Sequence, residues 1–216
     1  MQLNQYIDHT LLKATATPKD IIQLCAEAIQ FKFYAVCVNG CYVKLAKTEL
    51  KNSEVKIVAV IGFPLGAVST ESKMAEAVQC VADGADEIDM VINIGLLKAG
   101  QTDLVEDEIA AIKKAIGKQV LKVIIETCYL NDKEKKMACS AALNAAADFV
   151  KTSTGFGTGG ATIEDVKLMK AEVGDKLKIK ASGGIRDLKT AEAYIKLGVS
   201  RLGTSSGIEL VTSKKI

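Results

Sequence analysis

The sequence has 216 residues, 49 % of them hydrophobic and 25 % charged, which is the usage of an ordered globular protein. A formal net charge of +2 is too small for the basic footprint of a nucleic-acid binder; no run of 18 apolar residues is available to span a membrane, and the start lacks the basic-then-apolar pattern of a signal peptide. The single His cannot build a multi-His zinc site, and the six cysteines show no Cys-x-x-Cys spacing, so a cytoplasmic protein with reduced core thiols and no zinc site is expected.

In chain order, short apolar runs alternate with capped amphipathic stretches. A strand over 7–11 precedes Thr17-Pro18-Lys19-Asp20, a helix start with Pro at its first position and Ile21, Leu24, Cys25 and Ala28 on one face. Strands over 34–38 and 55–61 follow, then a helix capped by Ser69 or Thr70. After the strand over 86–92, Thr102 opens a helix with Val105, Ile109, Ile112 and Ile116 in one stripe and Gly117 past its end. The strand over 121–126 leads to Asn131, with Glu134 three residues on as a capping box. Strands over 147–151, 177–181 and 199–203 are separated by helices capped by Thr162 and Asp187, and a last helix closes the chain.

Runs such as 55–61 are apolar on both faces, as parallel strands covered on both sides are. Eight strands in 216 residues give about 27 residues per strand–helix unit, which predicts a single (β/α)8 TIM barrel domain over 1–216. A doubly wound open sheet is the competitor, but no Gly-x-Gly-x-x-Gly follows an early strand.

Function in such a barrel sits where strands end, so polar residues at strand ends carry the argument. Lys151 follows Phe149 and Val150 and precedes a Gly-rich loop; Lys180 ends the next strand before Gly183 and Gly184. Either could be a strand-terminal Lys reaching water. Together, on adjacent strands, they would aim two ammoniums into one cavity, where repulsion and desolvation favour the neutral form of one amine. A neutral buried Lys is the nucleophile of Schiff-base chemistry on aldehydes and ketones.

Asp89 lies inside an apolar strand and therefore needs a cationic or hydrogen-bonding partner, either as a structural ion pair or as a proton carrier beside Lys180. Asp8 is a weaker candidate of the same kind, and His9 reads as structural. Small-residue loops follow the last three strands: 153–160, 182–186 and 203–206. The latter two lead into helices, so their N–H groups could face an anion, with Arg186 completing a clamp.

These residues resemble the 2-deoxyribose-5-phosphate aldolase family of class I aldolases. The likeness runs through Ile7-Asp8-His9-Thr10, Ala35-Val-Cys-Val-Asn39, Val60-Ile-Gly-Phe-Pro-Leu-Gly66, Glu87-Ile-Asp-Met-Val-Ile-Asn93, Val150-Lys-Thr-Ser-Thr-Gly-Phe156, Lys180-Ala-Ser-Gly-Gly-Ile-Arg186 and Gly203-Thr-Ser-Ser206, nearly the whole chain in order. The resemblance implies Lys151 as the Schiff-base lysine and Asp89 with Lys180 as the proton donor and acceptor pair. It also implies a substrate phosphate held by Thr154, Gly155, Gly183, Gly184, Arg186, Gly203, Ser205 and Ser206. The substrates would be small phosphorylated sugars and aldehydes, and the family's habit implies a homodimer or homotetramer. Two departures stand out: Gly40 follows Asn39 where many relatives carry Pro, and residues 212–216 hold no Tyr of the kind some relatives use near the C-terminus. Another Schiff-base aldolase, a transaldolase-like enzyme, or a phosphate-binding barrel without catalysis remain alternatives at this level.

Overall fold

The computed structural model describes residues 2–213, so residues 214–216 of the tail without a Tyr lie outside the described residues. Eight parallel strands close into a barrel in sequence order. They are β1 (Ile7–Leu11), β2 (Ala35–Asn39), β3 (Lys56–Ile61), β4 (Glu87–Val91), β5 (Val120–Ile124), β6 (Phe149–Lys151), β7 (Lys178–Ser182) and β8 (Arg201–Thr204). The ring closes where β8 pairs with β1, Asp8 lying beside Gly203. The helices are α1 (Pro18–Gln30), α2 (Val43–Glu49), α3 (Thr70–Asp83), α4 (Ile94–Lys98), α5 (Thr102–Ile116), α6 (Asp132–Asn144), α7 (Ile163–Val173), α8 (Leu188–Lys196) and α9 (Gly207–Thr212). The (β/α)8 TIM barrel expected from the strand count is the fold observed. Among the described residues, no helix is long and apolar enough to cross a membrane.

Local chemistry sets the helix starts. Thr17 accepts the Asp20 N–H while the Asp20 carboxylate accepts the Thr17 N–H at 2.8 Å, and Asn131 and Glu134 form the same reciprocal box. Ser69, Thr162 and Asp187 each cap with their own side-chain oxygen. Helices α2 and α4 are not anticipated by the sequence reading, because seven and five residues are too short for a 3.6-residue period to register. The fifth strand stops at Ile124, two residues short of expectation, because Glu126 takes a left-handed backbone with φ of 52°.

Alternation along each strand sorts side chains between two environments. Outward residues such as Ile88, Met90, Leu121, Val123, Val150 and Ile179 pack against the helices in one large apolar core. Each such side chain contributes about 1.5–3 kcal/mol on burial. The barrel interior is split. Leu12, Ala35, Cys37, Val58 and Val60 make an apolar half beside β2 and β3. The other half holds Asp8, Glu87, Asp89, Lys122, Lys151, Lys180 and Arg201, none more than 6 % exposed.

A second buried ion pair lies outside the barrel. Lys73 on α3, with no exposed surface, donates to the Val91 carbonyl and to Glu108 on α5, both at 2.8 Å. Burial pulls the Lys73 ammonium below its ordinary pKa and pushes the Glu108 carboxyl above its own, although the two oppose that by pairing. Four cysteines (25, 37, 80 and 139) are buried as expected, but Cys41 is exposed and Cys128 half-buried, both in 3-10 turns after strands; all six are free thiols.

Candidate active site

A cavity of about 280 Å³ opens at the C-terminal mouth of the barrel, between the ends of β6, β7, β8 and β1. Its walls are residues 154–156, 182–186 and 203–205, with residues 10–13 at the end of β1 and just past it. Lys151 reaches it from the end of β6 and is 2 % exposed. Lys151 and Lys180 are register partners on β6 and β7, so the two side chains point into one interior. Lys151 ends β6 as expected, but Lys180 lies in the middle of β7, which runs on to Ser182, and does not reach the cavity.

Both lysines meet Asp89, each Nζ donating to its Oδ2 at 2.8 Å, while Lys122 Nζ donates to Oδ1 at 2.8 Å. Lys122 also pairs with Glu87 at 2.6 Å, and Glu87 accepts from Arg201 at 3.2 Å. Arg201 donates to Asp8 at 2.9 Å, and Asp8 accepts from Lys180. Six groups thus alternate in sign around a closed ring, Asp89–Lys122–Glu87–Arg201–Asp8–Lys180, and Lys151 hangs from it by the one contact to Asp89. The Arg201 guanidinium lies 3.3 Å from the centre of the Tyr34 ring, which fixes it at the closed end of the barrel.

These contacts decide the protonation states. Burial would raise the Asp89 carboxyl, but the ammoniums of Lys122, Lys151 and Lys180 hold it well below the usual carboxylate range. Burial would lower Lys180 and Lys122; the carboxylates beside them reverse that and raise both. Lys151 alone among the three is lowered, chiefly by burial and further by the Lys180 charge, with only Asp89 opposing strongly. The sequence argument from like-charge repulsion therefore holds in direction, with burial the larger cause.

The loops are tied to one another. A Cβ on Gly160 would stand 2.2 Å from the Gly183 carbonyl, so the β6 and β7 loops touch as only glycine permits. A Cβ on Gly203 would press on Ser182 at 2.9 Å and on the Lys180 stem at 3.1 Å. Ser182 Oγ donates to the Ser153 carbonyl at 2.5 Å, and Thr204 Oγ1 to the Ile185 carbonyl at 2.7 Å. Thr154 donates its N–H and its hydroxyl to Glu126, a carboxylate 1 % exposed, and accepts the Phe156 N–H at 3.0 Å.

Of the residues singled out from sequence, Lys151, Thr154, Gly155, Gly183, Gly184, Arg186, Gly203 and Ser205 line the cavity. Asp89 and Lys180 lie fully buried beneath Lys151. Ser206 does not line it; its N–H turns to Thr204 Oγ1 at 2.9 Å. The N-terminus of α8 is not open to an anion either, since the Asp187 carboxylate occupies it by accepting from Thr190. Asp8 belongs to the ring, while His9 pairs with Glu27 at 2.7 Å outside it, as a structural His. Sequence reasoning missed Lys122 and Glu87, although the rule that exposed Asp89 (a charge inside an apolar strand) applies to both. It also missed Lys13, a cation on the rim opposite Arg186, and Glu126. Among the described residues no group of three or more His, Cys, Asp or Glu is placed to hold a metal ion.

The family model for DeoC/LacD family aldolase matches residues 3–208. The chain is 58 % identical over 211 residues to a deoxyribose-phosphate aldolase of Finegoldia magna, covering 98 % of this chain and 99 % of that one. It is 58 % identical over 214 residues to a deoxyribose-phosphate aldolase of Carboxydothermus hydrogenoformans, covering 97 % and 94 %. Among solved structures, the tetrameric deoxyribose phosphate aldolase from Aeropyrum pernix superposes with a TM-score of 0.91 at 32 % identity, covering 97 % of this chain and 89 % of that one.

Proposed function

The chain belongs to the DeoC/LacD aldolase family, and we propose that it reversibly cleaves 2-deoxy-D-ribose 5-phosphate to acetaldehyde and D-glyceraldehyde 3-phosphate through a Schiff base on Lys151. Relatives named deoxyribose-phosphate aldolase at 58 % identity support the substrate. The observation that carries the chemistry is a buried amine on the cavity floor, displaced toward its neutral form and held 2.8 Å from a carboxylate.

Neutral Lys151 adds to the C1 carbonyl of the open-chain sugar, and loss of water leaves an iminium. That cation forms beside Asp89 and keeps the ion pair the amine gave up. The 3-hydroxyl then loses its proton, the C2–C3 bond breaks toward the iminium, and D-glyceraldehyde 3-phosphate leaves an enamine behind. Protonation of the enamine at C2 and addition of water release acetaldehyde and restore the amine. Asp89 and Lys180 carry these protons: Lys180, held cationic by two carboxylates, is the acid, and Asp89 passes the proton along.

The phosphate sits at the rim, on the backbone N–H groups around Gly183, Gly184, Gly203 and Ser205, between the Arg186 and Lys13 cations. The three apposed small-residue loops support this placement, as do the two cations, one on each flank. The proposal extends to one catalytic domain over 1–216, working without a cofactor on small phosphorylated substrates in the cytoplasm, and to a homo-oligomer, for which the tetrameric relative is the support.

Borohydride reduction in the presence of acetaldehyde tests the nucleophile. A stable ethyl adduct at Lys151 is expected, and Lys151→Ala should fold and lose it. An undiminished adduct mapped to Lys180 or elsewhere overturns the assignment. Screening dihydroxyacetone against acetaldehyde as donor separates this reading from a transaldolase-like one.

A further inference from the structure

The ring of charges extends well below the chemistry. Glu87 and Arg201 sit at the closed end of the barrel, 3 % and 6 % exposed, and neither lines the cavity. Buried charges are a poor way to stabilise a core, since apolar residues of similar volume usually do as well or better. Their placement is economical for another reason. Three carboxylates (Asp8, Glu87, Asp89) and three cations (Lys122, Lys180, Arg201) close on one another with every charge matched, and Lys151 is the seventh group. A proton on Lys151 would leave the ring and its one attached amine with one positive charge in excess, Glu126 being engaged outside the ring by Thr154.

We propose that Glu87 and Arg201 are positioning residues that act on Lys151 through the charge count of the ring, holding the interior neutral only while the Lys151 amine is unprotonated. The proposal rests on the Schiff-base reading of Lys151. Asp89 touches that amine at 2.8 Å, with Lys180 from β7 and Cys37 from β2 beside it; the other buried ionisable groups of the interior are Asp8 from β1, Glu87 from β4, Lys122 from β5 with Glu126 just beyond, and Arg201 from β8. β3 contributes only apolar Val58 and Val60 to this interior, and Lys13 and Arg186 stand at the rim. The direction of each group agrees: Lys122, Lys180 and Arg201 are raised by their carboxylates and Lys151 alone is lowered.

The signs follow from the count. Arg201→Met leaves three carboxylates facing two fixed cations, so a proton on Lys151 restores neutrality and the amine titrates higher. Glu87→Gln leaves two carboxylates facing three cations, so the amine titrates lower. The double variant restores two against two, and the amine should return toward its original value even though more contacts have been lost. One unit charge acting over roughly 10 Å at an effective dielectric constant near 20 moves a titration by about one pH unit, or about tenfold in the neutral fraction.

The experiment measures borohydride trapping by acetaldehyde against pH in single turnovers, with the adduct mapped by mass spectrometry. The half-point should rise by about one unit in Arg201→Met, fall by about one in Glu87→Gln, and lie within a few tenths of wild type in the double variant and in Arg201→Lys. Glu87→Gln is isosteric, so its downward shift carries the test alone if Arg201→Met fails to fold. Trapping at Lys151 with an unmoved half-point in Glu87→Gln overturns this inference and leaves the nucleophile standing. A double variant displaced further than either single variant overturns it too. A wild type that forms no adduct at any pH overturns both readings.

Discussion

Replacing Lys73 with Met should unfold this protein far more readily, for a reason the chemistry of the site does not share. Lys73 has no exposed surface and supplies two 2.8 Å hydrogen bonds, one to Glu108 and one to the Val91 carbonyl at the end of β4. Met fills much the same volume but leaves the Glu108 carboxylate, 3 % exposed, with only the Asn93 N–H at 3.3 Å. Breaking one side of a buried ion pair costs about 3–5 kcal/mol. For a chain of this length that is a fall in Tm of roughly 6–20 °C. The pH dependence follows from Glu108, whose pKa lies above its ordinary value even with its partner present and must rise further without it. A carboxyl raised in the folded state destabilises above its folded pKa, and the penalty fades as pH falls toward the unfolded value. The Tm gap to wild type should therefore be widest near pH 8 and narrow toward pH 5. Lys73→Met with Glu108→Met should recover part of the loss at pH 8, because the buried carboxylate is gone while the Val91 carbonyl and Asn93 N–H stay unpaired, at about 1–3 kcal/mol each. Scanning calorimetry at the two pH values checks this. A gap that does not narrow at pH 5, or a double variant no better than the single, refutes the unpaired carboxylate as the cause.

Lys180→Met removes the ammonium that shares Asp89 Oδ2 with Lys151, so kcat should fall at every pH and the half-point of borohydride trapping should rise by about two units, read in single turnovers. Arg186→Ala and Lys13→Ala should each raise KM for deoxyribose 5-phosphate by about 10- to 150-fold while changing little for unphosphorylated deoxyribose; equal losses on both substrates would make them structural. Glu126→Gln keeps the size of the side chain but weakens its charge-assisted hold on Thr154, and should lower kcat/KM by about tenfold with trapping at Lys151 retained.

The barrel was legible because the strands are short, predominantly apolar runs, β2 and β3 apolar on both faces, and most of the longer helices announce their caps, Thr17, Ser69, Asn131, Thr162 and Asp187 among them. Lys151 was legible because strand ends are where side chains meet a cavity, and Lys180 because a Lys closing an apolar run before Gly183 and Gly184 has no obvious route to solvent. Lys122 was not, because a lone Lys in a 26-Lys chain reads as solvated until the register puts it beside Asp89. Arg201 could be marked as one of only two Arg, but its partner Asp8 is on neighbouring β1 at the other end of the sequence and Glu87 is on β4 across the barrel, both beyond anything spacing reveals. Most of the residues singled out in the small-residue loops line the cavity; Ser206 and the α8 N-terminus do not open onto it, because each already has a local partner: Thr204 for the Ser206 N–H and Asp187 for the helix start.

The charged ring also dates the birth of the reactive amine. Asp8 reaches Lys180 and Arg201 across 172 and 193 residues of chain, so the first strand made by the ribosome waits for the last two. Until β8 docks against β1, Lys180 and Arg201 lack the Asp8 carboxylate and the interior is open to water, where a lysine amine is protonated and inert. A half-folded chain therefore lacks the buried, ring-bound amine of the closed barrel. No half-barrel fragment should inherit a slow version of the activity, because Asp8, Glu87 and Asp89 lie on β1 and β4 while Lys122, Lys151, Lys180 and Arg201 lie on β5 to β8.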